Sequence, residues 1–217
     1  MNTVSQTKQN AALKGAAFCF SGAAAKFVAG IDEVGRGPLA GPVAAAAVIL
    51  PWPVPKALAG LNDSKKLSPL KRERLEPLIK LHAVAWALAS ASVEEIEALN
   101  ILGATHLAMR RALSCLSVTA TAAVVDGNSD PGLGVPTQCI IGGDALDPGI
   151  SAASILAKVA RDRWMRDLDK FYPGYGFADN KGYGGSALHR DALLRLGPCP
   201  VHRLSFLKKI LATQTKP

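Results

Sequence analysis

The chain has 217 residues, enough to bury a sizeable core, and a composition of 49% hydrophobic against 19% charged residues excludes a wholly disordered chain. A net charge of +8 and a pI near 9.5 favour polyanionic partners, and no apolar run is long enough for a membrane-spanning helix. The four cysteines, Cys19, Cys115, Cys139 and Cys199, lack the paired spacing of zinc sites and read as reduced thiols.

Lys8 and Lys14 precede a mild apolar run at Ala16 to Phe20 and then Ala23-Ala24-Ala25, which superficially resembles a secretory signal. The run is short and diluted by Ser21 and Gly22, so residues 1–26 are expected to be a flexible extension of a cytoplasmic protein.

Phe27 to Ile31 and Val43 to Leu50 are apolar runs bounded by Gly and Pro, and they read as neighbouring buried strands joined as a hairpin. The first delivers Asp32 and Glu33, followed at once by Gly35-Arg36-Gly37. Adjacent carboxylates offer oxygen ligands to a hard divalent cation, and a Gly-Arg-Gly turn lets backbone approach a phosphate or a sugar. By itself the stretch is accounted for more simply by a solvated strand rim and an ordinary turn.

Leu61-Asn62-Asp63-Ser64-Lys65-Lys66-Leu67 leads to Ser68-Pro69, a cap followed by proline at the first position of a helix carrying Lys71, Arg72 and Arg74. A third strand is expected within His82 to Ser90, then a long helix over Val93 to Leu116 with Ser92 as its cap and Glu94 and Glu95 in its first turn. Leu99, Leu102, His106, Met109 and Leu113 form its expected buried stripe, with His106 a core or rim histidine. Ala122 to Val125 reads as a strand ending at Asp126, and Gln138 to Ile141 as one followed by Asp144.

Ile150 to Phe171 carries the strongest helical pattern, and Asp162 within it is assigned to charge pairing along the helix. After Tyr172 the chain turns to glycines, aromatics and bases before a short helix over Ala187 to Leu196. The expected organisation is a catalytic unit over residues 27–172 and a basic lobe over residues 173–217. Residues 150–217 hold twelve Lys and Arg against five Asp and Glu, a balance of +7, which marks this part as the polyanion-facing one.

Asp32, Glu33, Asp126 and Asp144 thus follow three strand-like runs and could meet if those strands are neighbours in one sheet. Their mutual repulsion would be cancelled by one or two divalent cations, which stabilise attacking and leaving oxygens in phosphodiester hydrolysis. Side chains alternate across a strand, so Asp32 is the surer inward ligand and Glu33 needs its longer stem or the strand's end to reach in.

In order, G-I-D-E-V-G-R-G-P-L-A-G-P, L-N-D-S-K-K-L-S, N-I-L-G-A-T-H-L-A-M, V-V-D-G-N, I-S-A-A-S-I-L-A-K-V-A-R-D-R, Y-P-G-Y-G-F, N-K-G-Y-G and H-R-L-S-F span Phe27 to Phe206. This succession resembles the type 2 ribonucleases H, specifically the bacterial ribonuclease HII family. The resemblance implies an α/β, ribonuclease H-like mixed sheet flanked by helices, with a C-terminal helical extension. It also implies a Mg²⁺- or Mn²⁺-dependent, two-metal endonuclease that cuts the RNA strand of RNA/DNA hybrids. DNA would be nicked 5′ of embedded ribonucleotides, leaving a 3′-hydroxyl and a 5′-phosphate, by a cytoplasmic monomer with no membrane partner.

Asp32, Glu33, Asp126 and Asp144 match the family's catalytic, metal-holding carboxylates. Gly35, Arg36 and Gly37 match its ribose-contacting segment, Tyr183 the tyrosine that packs on the adjoining deoxyribose, and Lys65 and Lys66 its phosphate-facing lysines. Two departures stand out. Gly142 occupies a position where the family commonly has lysine, which bears on metal affinity or rate, and Gly184-Gly185-Ser186 is one residue longer than usual with serine for threonine.

Overall fold

The computed structural model describes residues 26–212, so the expected N-terminal extension lies almost wholly outside the described residues. Five strands form one mixed sheet: β1 (Val28–Val34), β2 (Val43–Ile49), β3 (Ala85–Ala91), β4 (Ala122–Asp126) and β5 (Thr137–Ile140), in the order β3-β2-β1-β4-β5. β1 and β2 form the expected antiparallel hairpin and β3 extends it, whereas β4 runs parallel to β1 and β5 parallel to β4.

Alternation along the strands builds two cores. Ala29, Ile31, Ala45, Ala47, Ala123 and Val125 face one way, against α2 (Val93–Ser114). Ala46 and Val48 face the other, against α1 (Pro69–His82) and α3 (Pro148–Phe171). Small residues let α3 lie close on β1: a Cβ at Gly30 would sit 2.1 Å from the Gly149 carbonyl carbon, so only glycine fits there.

The helix starts are locally encoded. Ser68 accepts from Lys71 N with Pro69 at the first position, Ser92 and Glu95 close a reciprocal capping box, and Asp147 accepts from Gly149 N and Ile150 N. The expected long helix is correct in extent but not in form. Asn100 (φ 57°) interrupts α2, and its side chain accepts from Leu102 N and Gly103 N, capping a second segment. The expected buried stripe is corrected in part: Met109 is buried and Leu113 packs on the core as expected, but Leu99 and Leu102 are more than two-fifths exposed, and Ile96, Ala104, Ala108 and Ala112 face the sheet instead. Alanines at four-residue steps allow closer approach to an alanine-rich sheet than leucines would.

Beyond Phe171 come α4 (Phe177–Asn180), α5 (Ala187–Leu196) and α6 (Leu204–Leu211); α4 and α6 were not expected as elements. Leu39 and Ala40 of the β1–β2 loop are shared with this part of the chain, packing with Met165, Phe177, Leu193 and Leu207. Ser186, the departure after Tyr183, caps α5 by accepting from His189 N.

Candidate active site

Strand register brings the first two acids together. Ile31 pairs with Val125 in the parallel β1–β4 ladder, so Asp32 and Asp126 are next in register and share the face turned to α3. Glu33 falls on the opposite face by alternation, yet its stem reaches round the strand end. One carboxylate oxygen from each of Asp32, Glu33 and Asp126 lies within 4.8 Å of the others. Asp144 does not join that trio; it sits beside Asp126 and Asp63 in a short helical turn, Gly143–Ala145, whose Gly143 N–H donates to Asp126 Oδ1 at 2.7 Å.

The electrostatics are those of carboxylates crowded together and partly buried. Burial, then the charges of Glu33 and Asp126, push the Asp32 carboxyl well above the usual carboxylate range, against hydrogen bonds from Ser154 and Glu33 N. Burial also raises Glu33 over the pull of Arg36, whose guanidinium lies 3.7 Å away. Asp144 is raised by burial first, then by Asp63 and Asp126. Oxygen donors held together against their own repulsion fit a hard divalent cation.

The two candidate lysines differ. Burial would lower the Lys65 pKa, but Asp144, Asp32, Asp63 and Asp126 together raise it, which places its ammonium in the field of the acid cluster. Lys66 is mostly exposed and faces Asp63 at 3.8 Å. Lys65 therefore supplies positive charge to a site that lacks a lysine at Gly142. Its turn is held by Arg72, buried on α1, which donates to the carbonyls of Ser64 and Leu67.

Gly35-Arg36-Gly37 is also arginine-held. Arg203, fully buried, uses all five N–H donors on backbone carbonyls: Gly35, Arg36, Pro38 and twice Gly41, at 2.7 to 3.0 Å. Arg161 from α3 donates to the carbonyls of Pro42, Ala40 and Lys181. Burial, then the neighbouring Arg161 charge, pulls Arg203 down to about 9. Gly35 (φ +96°) admits no side chain, since a Cβ would meet Arg161 Nε at 2.2 Å. Tyr183 closes the turn from the far side, its ring 3.8 Å from where a Cβ on Gly37 would be.

Asp63, Ser154, Arg161 and Arg203 also border the site or its turn, with no signal in the sequence to mark them. The arginines expected to face a polyanion are otherwise engaged: Arg161 and Arg203 are internal, and Arg163 and Arg166 pair with Glu76 and Glu73 on α1. Asp162 pairs with Lys158 at 2.8 Å as expected, and His106 is half-buried near Arg110 and Arg36.

A mixed sheet in this strand order, flanked by helices and gathering carboxylates from β1 and β4, defines the ribonuclease H class of fold. The family model "Ribonuclease HII" matches residues 29–209. Ribonuclease HII of Moorella thermoacetica is 55% identical over 179 residues, covering 82% of this chain and 85% of that one. Its counterpart in Hyphomonas neptunium is 55% identical over 194 residues, covering 82% and 92%. Among solved structures, ribonuclease H2 of Pyrococcus horikoshii superimposes with a TM-score of 0.73 at 25% identity, covering 88% of this chain and all of that one. The chain belongs to the ribonuclease HII family and is an endoribonuclease.

Raised carboxyl pKa values set a sign for pH. A group whose folded pKa exceeds its unfolded value stabilises the fold below the unfolded value, about 3.9 for Asp, and that stability is lost as pH rises through the folded value. In EDTA, the contribution of Asp32, Glu33 and Asp144 to the melting temperature should therefore fall as pH rises from about 4. Mg²⁺ or Mn²⁺ should restore it, with a larger shift at pH 8 than at pH 5. Thermal melts across pH, with and without cation, check this; no cation-induced shift at pH 8 would contradict it.

Proposed function

We propose that this enzyme hydrolyses the RNA strand of RNA/DNA hybrids and nicks DNA on the 5′ side of an embedded ribonucleotide, leaving a 3′-hydroxyl and a 5′-phosphate, with Mg²⁺ or Mn²⁺ as its cofactor. The observation that carries this reading is that the Tyr183 ring faces the Gly35-Arg36-Gly37 turn, 3.8 Å from where a Cβ on Gly37 would stand, while Arg36 of the same turn lies 3.7 Å from the Glu33 carboxylate. A reading device for sugar thus adjoins a cleaving device for phosphate.

Asp32, Glu33, Asp126 and Asp144 hold the cations. When bound, these supply Lewis-acid stabilisation of the attacking and leaving oxygens. Lys65 adds fixed positive charge toward the scissile phosphate, and Lys66 meets the flanking backbone. In a trans peptide, N–H and C=O point to opposite sides. Because the carbonyls of Gly35 and Arg36 turn inward to Arg203, the N–H groups of Arg36 and Gly37 turn outward. There they are donors for a 2′-hydroxyl, the group that separates ribose from deoxyribose. Tyr183 offers an aromatic face to the next sugar. All these residues lie on one chain, so a monomer suffices.

The test is a DNA duplex carrying one ribonucleotide. It should be cut only with Mg²⁺ or Mn²⁺, and only at the DNA–ribonucleotide junction; an intact duplex under both metals would sink the proposal. Tyr183→Ala should lower single-ribonucleotide cleavage by about tenfold or more, the scale of a lost stacking contact, and lower hybrid binding much less. Parallel cleavage and binding titrations would show this, and equal losses would argue against a junction-reading tyrosine.

A further inference from the structure

Beneath Tyr183 lies a buried pair of histidines with no part in the chemistry above. His189 on α5 and His202 before α6 are both essentially inaccessible, and their Nε2 atoms are 3.1 Å apart. The rings of Tyr175 and Phe177 pack against them, with Tyr175 and His202 4.9 Å apart edge-on and Phe177 and His189 at 5.4 Å. At one end the Cys199 N–H donates to His202 Nδ1 at 3.0 Å, and the Cys199 thiol lies 3.1 Å from the same nitrogen. At the other end His189 Nδ1 is 3.1 Å from the Tyr183 carbonyl oxygen.

The end groups dictate the protons. A backbone N–H can only donate, so His202 Nδ1 accepts and the His202 proton sits on Nε2. That proton makes His189 Nε2 an acceptor, which leaves the His189 proton on Nδ1, aimed at a carbonyl that can only accept. One directed chain runs from Cys199 N–H through two neutral imidazoles to Tyr183. The peptide on the other side of Tyr183 is held by the β1–β2 loop, with Leu39 N donating to Gly182 O at 2.7 Å.

We propose that His189 and His202 are positioning residues: by fixing the Tyr183 peptide in complementary tautomers, they set the tyrosine ring against Gly37 and so the preference for a ribonucleotide–deoxyribonucleotide junction. This rests on the junction-reading role proposed for Tyr183. A merely structural pair would, when altered, depress every activity alike. A positioning pair changes the ratio of single-ribonucleotide to hybrid cleavage, in which any loss of folded protein cancels.

The variants are His189→Gln, whose amide replaces only the Nε2 end, and His189→Asn, whose amide replaces only the Nδ1 end facing Tyr183. His189→Gln should lower that ratio about tenfold, the scale of one buried hydrogen bond. His189→Asn should return it to within about threefold of the parent protein by restoring the donor to Tyr183. Equal ratios in both variants and the parent would overturn the proposal. A second readout does not depend on cleavage: long-range ¹H–¹⁵N spectra at pH 7 should show His189 protonated at Nδ1 and His202 at Nε2. The same tautomer on both rings would overturn it even if the junction is cut, whereas correct tautomers in a protein that cuts no junction would fault the proposed function alone.

Discussion

With Asp126 in the proposed metal site, Asp126→Asn is expected to reduce cleavage at least about 10³-fold, because loss of its charge would remove on the order of 4 kcal/mol or more of transition-state stabilisation. The fold should survive it. Asp126 Oδ1 accepts from Gly143 N at 2.7 Å, and the amide oxygen of Asn can accept the same bond. The Asp126 charge also raises the pKa values of Asp32, Glu33 and Asp144, so its removal relieves repulsion in the metal-free protein. Three readings belong together: cleavage lost, hybrid binding within a few-fold of the parent, and a metal-free melting temperature unchanged or raised. Cleavage above about a tenth of the parent rate would exclude Asp126 from the proposed metal site, and a fall in melting temperature would mean that the bond from Gly143 N is stronger to the charged carboxylate by more than the repulsion that the substitution relieves.

Arg203→Ala should be the most destabilising single change. It leaves four inward-facing carbonyls of the β1–β2 loop without their donor, each at about 1–3 kcal/mol when a buried acceptor goes unpaired. Even with water entering the space, a loss above about 4 kcal/mol follows, or roughly 10 °C or more in melting temperature for a chain of this size. Arg203→Lys should recover only part of this, since an ammonium has three donors and no planar fork to match the five-bond pattern. Calorimetry decides, and a midpoint for Arg203→Ala within about 2 °C of the parent would show that the turn holds itself. The expected consequence for function is indirect: without Arg203, nothing obliges the Arg36 and Gly37 N–H groups to face outward.

The same contrast explains why some elements were legible and others were not. Ser68-Pro69 and Ser92 with Glu95 mark helix starts through side-chain bonds spanning three residues, so their sequence is their structure. The break at Asn100 was hidden although its cap, on Leu102 N and Gly103 N, is just as local, because the run of helix formers around it reads as one continuous helix. Leu99 and Leu102 fell off the expected stripe, while Met109 and Leu113 kept to it, because periodicity names the apolar face but not the spacing of the partner, and an alanine-lined sheet selects alanines.

By itself, the sequence determined the strand succession and the main helices, the four acids following strand-like runs, the glycine-framed arginine turn and the family pattern, all carried by residues close in the chain. Only the tertiary structure decided that Asp32 and Asp126 are register neighbours, that Glu33 reaches round the end of β1, and that Lys65 rather than Lys66 answers the acids. It also turned two of the chain's basic residues inward. Apart from the Arg161 bond to the Lys181 carbonyl, 20 positions on, Arg161 and Arg203 meet carbonyls 119 to 168 positions away along the chain. Such a pairing leaves no local periodicity, because an arginine that will be buried on carbonyls has the same side chain as one that will meet a phosphate; only the loop folded over it separates the two.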